Sequence, residues 1–402
     1  MTNKNSIDKP LSGIRVLDLS RILAGPYCTQ ILGDMGAEII KVERPGAGDD
    51  TRTWGPPFAE GESAYYLCLN RNKKSITVDM KKPQGIELIK EFIKVSDVIV
   101  ENFTPGTMAK FGLEYEKVKE INPKIVYCSI SAYGQDGPYM NRPGYDMVLS
   151  AVGGLMWITG PKGGEPCKVG VAITDVTTGI YASGAIVASL FWRERSGKGQ
   201  FIDASLLDAQ VSALANIGSN YLVAEQEAKR WGTEHESIAP YQVFPTKDHP
   251  VAIAAANQKL WVNLCKVLGR EEWVDDPRFV TNPKRVENRA ELIPMVAEVM
   301  KTRTCDEWVE ALVEASVPVG PVNNMERLYN DPQVLHRGMV QKVKHPTIKN
   351  LRLSGIPLKY SETPLTIELH PPLLGEHTDE ILKDVLSYSD DRIEQLHSDE
   401  VI

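Results

Sequence analysis

Apolar positions in this chain come in short runs, separated by longer stretches with helical spacing. Ile14 to Leu19 (IRVLDL) suits a strand, residues 24–35 (AGPYCTQILGDM) follow with helical spacing, and Ala37 to Val42 (AEIIKV) reads as a second strand. A strand–helix–strand unit of this length implies a parallel pair joined by a right-handed crossover. The pattern continues with a strand at Ser75 to Met80 and a helix at Lys82 to Val95, whose Ile86, Leu88, Ile89 and Phe92 share one face. Strands at Asp97 to Glu101 and Ile125 to Ser131 come next. A helix rich in small residues then runs from Asp175 to about Arg193, followed by a strand at GQFIDAS and a helix from about Leu206. This alternation predicts an α/β fold built on a Rossmann-like, doubly wound parallel sheet.

The texture changes near Glu225. The segment KRWGTEHESIAPYQVFPTKDHP is polar and loop-rich, and it introduces a strand (VAIAAA) and several Glu- and Lys-rich helices. A smaller α+β domain is therefore expected at 222–330. The large domain is expected to comprise 1–221 together with a returning tail, 331–402.

At 402 residues the chain is long enough for two cores. A net charge of −8, with no basic run of five, argues against nucleic acid as a partner. No uninterrupted apolar run reaches bilayer-spanning length, so no membrane association is expected. The N-terminal MTNKNSIDKP has neither a signal-peptide core nor an Arg-rich presequence pattern. The cytoplasm is the expected compartment, with the mitochondrial matrix as the alternative. Six cysteines are scattered without a C-x-x-C or a His at metal spacing, so they read as reduced thiols and no metal site is expected.

A strand–helix–strand start invites a dinucleotide, but the first turn reads SRILAGP and lacks the G-x-G-x-x-G fingerprint. At the end of the second strand Glu43 is followed by Arg44. An arginine there suits a ribose that carries a phosphate, as in NADP or coenzyme A, though a solvated strand end reads the same way. Arg21, Lys73, Lys74 and Lys110 also lie near predicted strand ends and would form an anion site if grouped at one sheet edge.

One stretch carries a different signal. VGVAITDVTTGIYA, residues 169–182, is small and apolar, and its single ionisable side chain is Asp175, with Gly170 and Gly179 on either side. An acidic helix cap accounts for the aspartate. It does not account for the glycines, which let a backbone or a ligand approach closely.

The segments LSGIRVLDLSRILAGP, GAEIIKVERPGAGD, NRNKKSITVDMK, DVIVENFTPG, ISAYGQDGP, the Asp175 stretch, VPVGPVNNM and PPLLGEHTDEIL occur in this order from about residue 10 to about 385. Together they resemble the class III CoA-transferases, the formyl-CoA and carnitine CoA-transferase family. The resemblance implies that Asp175 is the nucleophile and Tyr145 lies close to the reacting acyl group. It implies that CoA is held by Arg44, by Val78, Asp79, Met80 and Lys81, by Asn102, Phe103 and Thr104, and by Lys110. CoA would be a thioester substrate rather than a prosthetic group. Backbone N–H groups of Gly153 and Gly154 are candidates for an oxyanion site. The resemblance further implies an interlocked homodimer. Leu23 stands where formyl-CoA transferases have a glutamine, and their glycine tetrad has no counterpart, so formyl-CoA and oxalate are not the expected pair.

Within the family, VERPGAGDDTRTWGPPF, EAKRWGTEHESIAPYQVF and DPQVLHRGMV resemble the succinyl-CoA:glutarate (succinate–hydroxymethylglutarate) type. The expected donor is succinyl-CoA, and the expected acceptor is glutarate or 3-hydroxy-3-methylglutarate. A dicarboxylate needs a cation for its distal end, and Arg52, Arg71 and Arg230 are the candidates. Two other readings remain open on the sequence. One is an acyl-CoA racemase, although Gly144-Tyr145-Asp146 stands where racemases have G-H-D and a tyrosine is a poor substitute for a histidine base. The other is a non-catalytic acyl-CoA-binding protein, which would not need Asp175.

Overall fold

The computed structural model describes residues 9–402, which divide into two compact units. The larger comprises 9–155, 169–224 and 333–402, and the smaller 156–168 and 225–332. The insertion at 156–168, which joins the smaller unit from within the first half of the chain, leaves no mark in the hydrophobic pattern.

The larger unit is organised by six parallel strands: β1 (Arg15–Asp18), β2 (Glu38–Glu43), β3 (Lys73–Thr77), β4 (Val98–Glu101), β5 (Val126–Ser131) and β6 (Phe201–Ser205). Their order is β3-β2-β1-β4-β5-β6. The inner strands are buried on both faces, which is why VIVE and VYCSIS read as continuous rather than alternating runs. Order reverses between β1 and β4. The loops leaving those two strands diverge there and open the crevice in which ligands of such sheets bind.

Helices cover both faces. On one, α1 (Ala24–Asp34) packs with α4 (Ile173–Ser196) over Val16, Ile39, Val98 and Val126. On the other, α2 (Pro83–Lys94) and the C-terminal helices Thr378–Leu386 and Asp390–Ser398 close over Leu17, Ile40, Ile76 and Ile99. Two further helices complete the site region: α3 (Asp146–Val152) and α5 (Leu206–Ala213).

The 24-residue α4 is long and apolar enough to cross a bilayer by length and composition. The sequence reading expected a small-residue helix here, from Asp175 to about Arg193, and Thr, Gly and Ser interrupt its apolar run. Those small residues have a packing role. A Cβ on Gly179 would stand 2.8 Å from the carbonyl oxygen of Ala24 and 3.2 Å from the amide of Cys28, so glycine is what lets α1 lie against α4.

The smaller unit has its own three-stranded antiparallel sheet (Tyr241–Phe244, Val251–Ala254, Val319–Pro321). Its core gathers Trp261, Phe279, Leu292, Val296 and Trp308.

Candidate active site

Two cavities of the larger unit sit at the carboxyl ends of its strands. The first, about 400 Å³, is lined by the ends of β1, β2 and β3 and includes Arg44, Val78, Asp79, Met80, Lys81, Phe103 and Phe111. The second, about 110 Å³, lies at the switch point and includes Leu23, Ala24, Asn102, Phe103, Thr104, Arg142, Tyr145 and Asp175. Phe103 lines both, so the cavities adjoin.

Buried charge supports the floor of the first cavity. Lys41 Nζ donates to Asp49 at 2.9 Å and to the Ser20 carbonyl at 3.0 Å, with both side chains inaccessible to solvent. Glu43 accepts two bonds from Arg52 (2.8 and 2.7 Å) and one from the Ser75 hydroxyl (2.7 Å). Asp18 is bonded by Ser20, Thr29 and Lys73. Burial alone would raise these carboxyls, but cations and donors outweigh it: Asp49 is held down at about 2, and Asp18 and Glu43 also lie below their ordinary values. Asp49 also accepts the amide of Ile22, whose φ of 72° is left-handed and costly for a β-branched residue. That kink turns the chain from β1 toward the start of α1. Asn102 ties the two switch-point loops together, accepting from the Arg21 amide at 2.9 Å and donating to the Arg21 carbonyl at 2.7 Å.

The second cavity is built differently. Asp175 occupies the first turn of α4, but it is not the cap. The N-cap is Ala172, and the carboxylate of Asp146 accepts the amides of Thr174 (2.8 Å) and Asp175 (3.3 Å) from across the site. Capping by Asp146 leaves the Asp175 carboxyl facing the cavity. The Thr174 hydroxyl donates to buried Gln210 on α5 at 2.7 Å, which pins this turn. Burial, with the Asp146 charge beside it, pushes the Asp175 carboxyl up to about 7. Burial first, and then nearby negative charge with Asp175 foremost, push the Tyr65 phenol up to about 12.

Several expected residues fall into place differently. Arg44 is exposed on the rim of the larger cavity and reaches Asp50 at 2.7 Å. Lys110, at the end of a short helix (Thr107–Lys110), is exposed and lines neither cavity. The amides of Gly153 and Gly154, the expected oxyanion candidates, donate to the carbonyls of Leu149 and Ala151 and close the last turn of α3. Gly153 is small because a Cβ there would stand 2.5 Å from Gln210, and Gly154 has a φ of +81°. Lys73 pairs inside the fold with Asp18, and Lys74 with Glu38 and Glu380, so neither belongs to an anion site. Of the three candidate arginines, Arg52 is taken up by Glu43, Arg71 by Asp34, and Arg230 by the carbonyls of Gly164 and Trp157. Asp146, which holds the amides at the start of α4, and Arg142, which lines the smaller cavity, were missed by the sequence reading. Only the adjacency of Asp146 to Tyr145 pointed to either of them.

A family model described as CoA-transferase family III matches residues 11–378. The chain belongs to CoA-transferase family III. A human succinyl-CoA:glutarate CoA-transferase is 51% identical over 98% of this chain and 90% of its own length. A succinate–glutarate CoA-transferase of Agrobacterium fabrum is 43% identical, covering 96% and 98% of the two chains. Among solved structures, a CAIB/BAIF family protein from Brucella suis is 42% identical and superposes with a TM-score of 0.85 over 93% of this chain and 98% of that one. The protein is thus an enzyme that transfers CoA, with CoA thioesters as substrates. The six-stranded sheet is that family's α/β fold.

Proposed function

We propose that this enzyme moves CoA from succinyl-CoA to glutarate or 3-hydroxy-3-methylglutarate, with Asp175 as the nucleophile. The observation that carries the reading is a partly buried carboxyl, Asp175, with the acid Asp146 as neighbour, lining a cavity that adjoins the one that suits CoA. The names of the human and Agrobacterium relatives support the choice of acids.

The chemistry follows from the placement. An Asp175 oxygen attacks the thioester carbonyl, the C–S bond breaks, and CoA leaves as the thiolate with a mixed anhydride left behind. The thiolate attacks the aspartyl carbonyl of that anhydride and releases the donor acid, giving an aspartyl-CoA thioester. The acceptor carboxylate attacks in turn, and the same two steps run in reverse order onto the new acid. Desolvation makes Asp175 a stronger base than an exposed aspartate, and the confined cavity limits hydrolysis of the anhydride. The start of α1, which has no side-chain cap and lines the cavity at Leu23 and Ala24, supplies positive dipole toward the developing oxyanion. Arg44 and the Val78–Lys81 segment hold the nucleotide end of CoA. Its binding energy then positions the thioester.

A homodimer is part of this reading. Ile180, Tyr181, Phe191 and Trp192 on α4, with Leu222 and Val223 beyond α5, are exposed apolar side chains that a second copy would cover.

The test is to incubate the protein with succinyl-CoA and a panel of dicarboxylates and to identify the acyl-CoA products by mass spectrometry. Glutaryl-CoA, or its hydroxymethyl analogue, is the expected product. Free CoA alone would instead indicate a hydrolase.

A further inference from the structure

We propose that Arg142 binds the distal carboxylate of the dicarboxylic acyl group and so selects diacids over monoacids. The proposal rests on the transfer reading above and extends it to the identity of the specificity residue.

Arg142, which is exposed at its edge, and Asp175 line the same cavity, whose other lining residues include Ile22, Leu23, Ala24, Ile130 and Leu206. These apolar side chains stand among polar ones such as Asn102, Thr104 and Ser131, and together they leave room for a short methylene chain. Among the described residues, no carboxylate or carbonyl accepts from the Arg142 guanidinium, whereas Arg52, Arg71 and Arg230 are each engaged within the fold. Its recorded contact is the face of Tyr139, 3.6 Å from the ring centroid, and Tyr139 in turn meets Tyr133 edge-on at 5.7 Å. A guanidinium stacked on an aromatic ring keeps its in-plane donors free for a bidentate carboxylate.

The spacing between the two groups is built in. Arg142 and Asp146 are joined by Pro143, Gly144 and Tyr145, and Asp146 holds the amides at the start of α4. Gly144 is clamped: a Cβ there would lie 2.4 Å from Leu149 and 2.7 Å from Ala132. The cation and the proposed nucleophile therefore share one framework and one cavity, and among the described residues no ion pair joins them. A molecule with an activated carbonyl at one end and a carboxylate at the other satisfies both.

Transfer from succinyl-CoA should be compared for glutarate and its monoamide, glutaramate, in wild type and in Arg142→Gln and Arg142→Lys. In wild type, glutarate should be preferred. In Arg142→Gln, overall turnover falls with either acceptor because succinyl-CoA loses the same contact, and the glutarate-to-glutaramate ratio of kcat/KM should collapse by roughly 10²-fold toward one. Arg142→Lys should recover part of the preference. Thermal unfolding of each variant reports that it is folded. An equal fall for both acceptors, or a glutarate preference that survives in Arg142→Gln, would overturn the assignment alone. Failure of wild type to form a new acyl-CoA from any diacid would overturn the transfer reading and this assignment with it.

Discussion

The two cavities treat the same side chain in opposite ways. Under the larger one, Asp18, Glu43 and Asp49 are buried, and each is matched by a cation, so their carboxyls titrate low. In the smaller one, Asp175 has another acid for a neighbour and its carboxyl is pushed up to about 7. Pairing stabilises the first region and holds its loops still. Leaving Asp175 unpaired destabilises the second, and it retains a basic oxygen that no cation has quenched. The difference shows where this fold spends stability on reactivity.

The sharpest way to break the comparison is to neutralise one acid from each region. Asp175→Asn should cost about 10⁴-fold in kcat. It should also stabilise the protein at pH 8. The folded-state value of Asp175, about 7, lies above the unfolded one, so the neutral acid's contribution is complete below pH 4 and is lost as pH rises through 7. Thermal unfolding of variant and wild type should therefore diverge at pH 8, by on the order of 2 kcal/mol, and converge near pH 4. Asp49→Asn should do the reverse. It leaves Lys41 buried without its counter-charge, at a cost of about 3–5 kcal/mol in denaturant unfolding. Because Asp49 is held down at about 2, its stabilisation is present above the unfolded value and is lost as pH falls toward 2. If both variants shift stability in the same direction at pH 8, the contrast fails.

Smaller effects sharpen it. Gly179→Ala sets a methyl 2.8 Å from the Ala24 carbonyl, and should cost about 1–3 kcal/mol and lower kcat by shifting α1 at the cavity wall. For wild type, kcat/KM should rise with pH and level off above about 7, and this dependence should disappear in the residual activity of Asp175→Asn. Arg44→Gln should raise the KM for succinyl-CoA by about tenfold with a smaller fall in kcat, since the contact is remote from the chemistry and its binding energy helps to position the thioester.

The parallel sheet and the Asp175 segment were both legible in the sequence. Runs such as VIVE and VYCSIS are buried on both faces, and burial on both faces leaves a one-dimensional signature. The Asp175 stretch stood out because one charge in a small apolar segment is unusual, and the family resemblance implied a nucleophile there. The roles of the glycines were not legible. Gly153 looked like an oxyanion donor, yet its amide closes α3 and its missing side chain makes room for Gln210. The arginines were not legible either. Arg52, Arg71 and Arg142 look alike in the chain, and only folding shows that Glu43 and Asp34 have claimed the first two.

By itself, the sequence determined the fold class, the chemical family and the position of the acid, because hydrophobic period and ordered motifs are local properties. Tertiary structure decided which charges are neutralised, which amides are free and which acid caps the helix carrying Asp175. Those outcomes depend on pairs such as Asp146 with the Asp175 amide, Glu43 with Arg52 and Asp34 with Arg71, brought together only when the sheet and its helices close. Pairing and burial set a carboxyl's basicity, and neither is a property of a residue's neighbours in sequence.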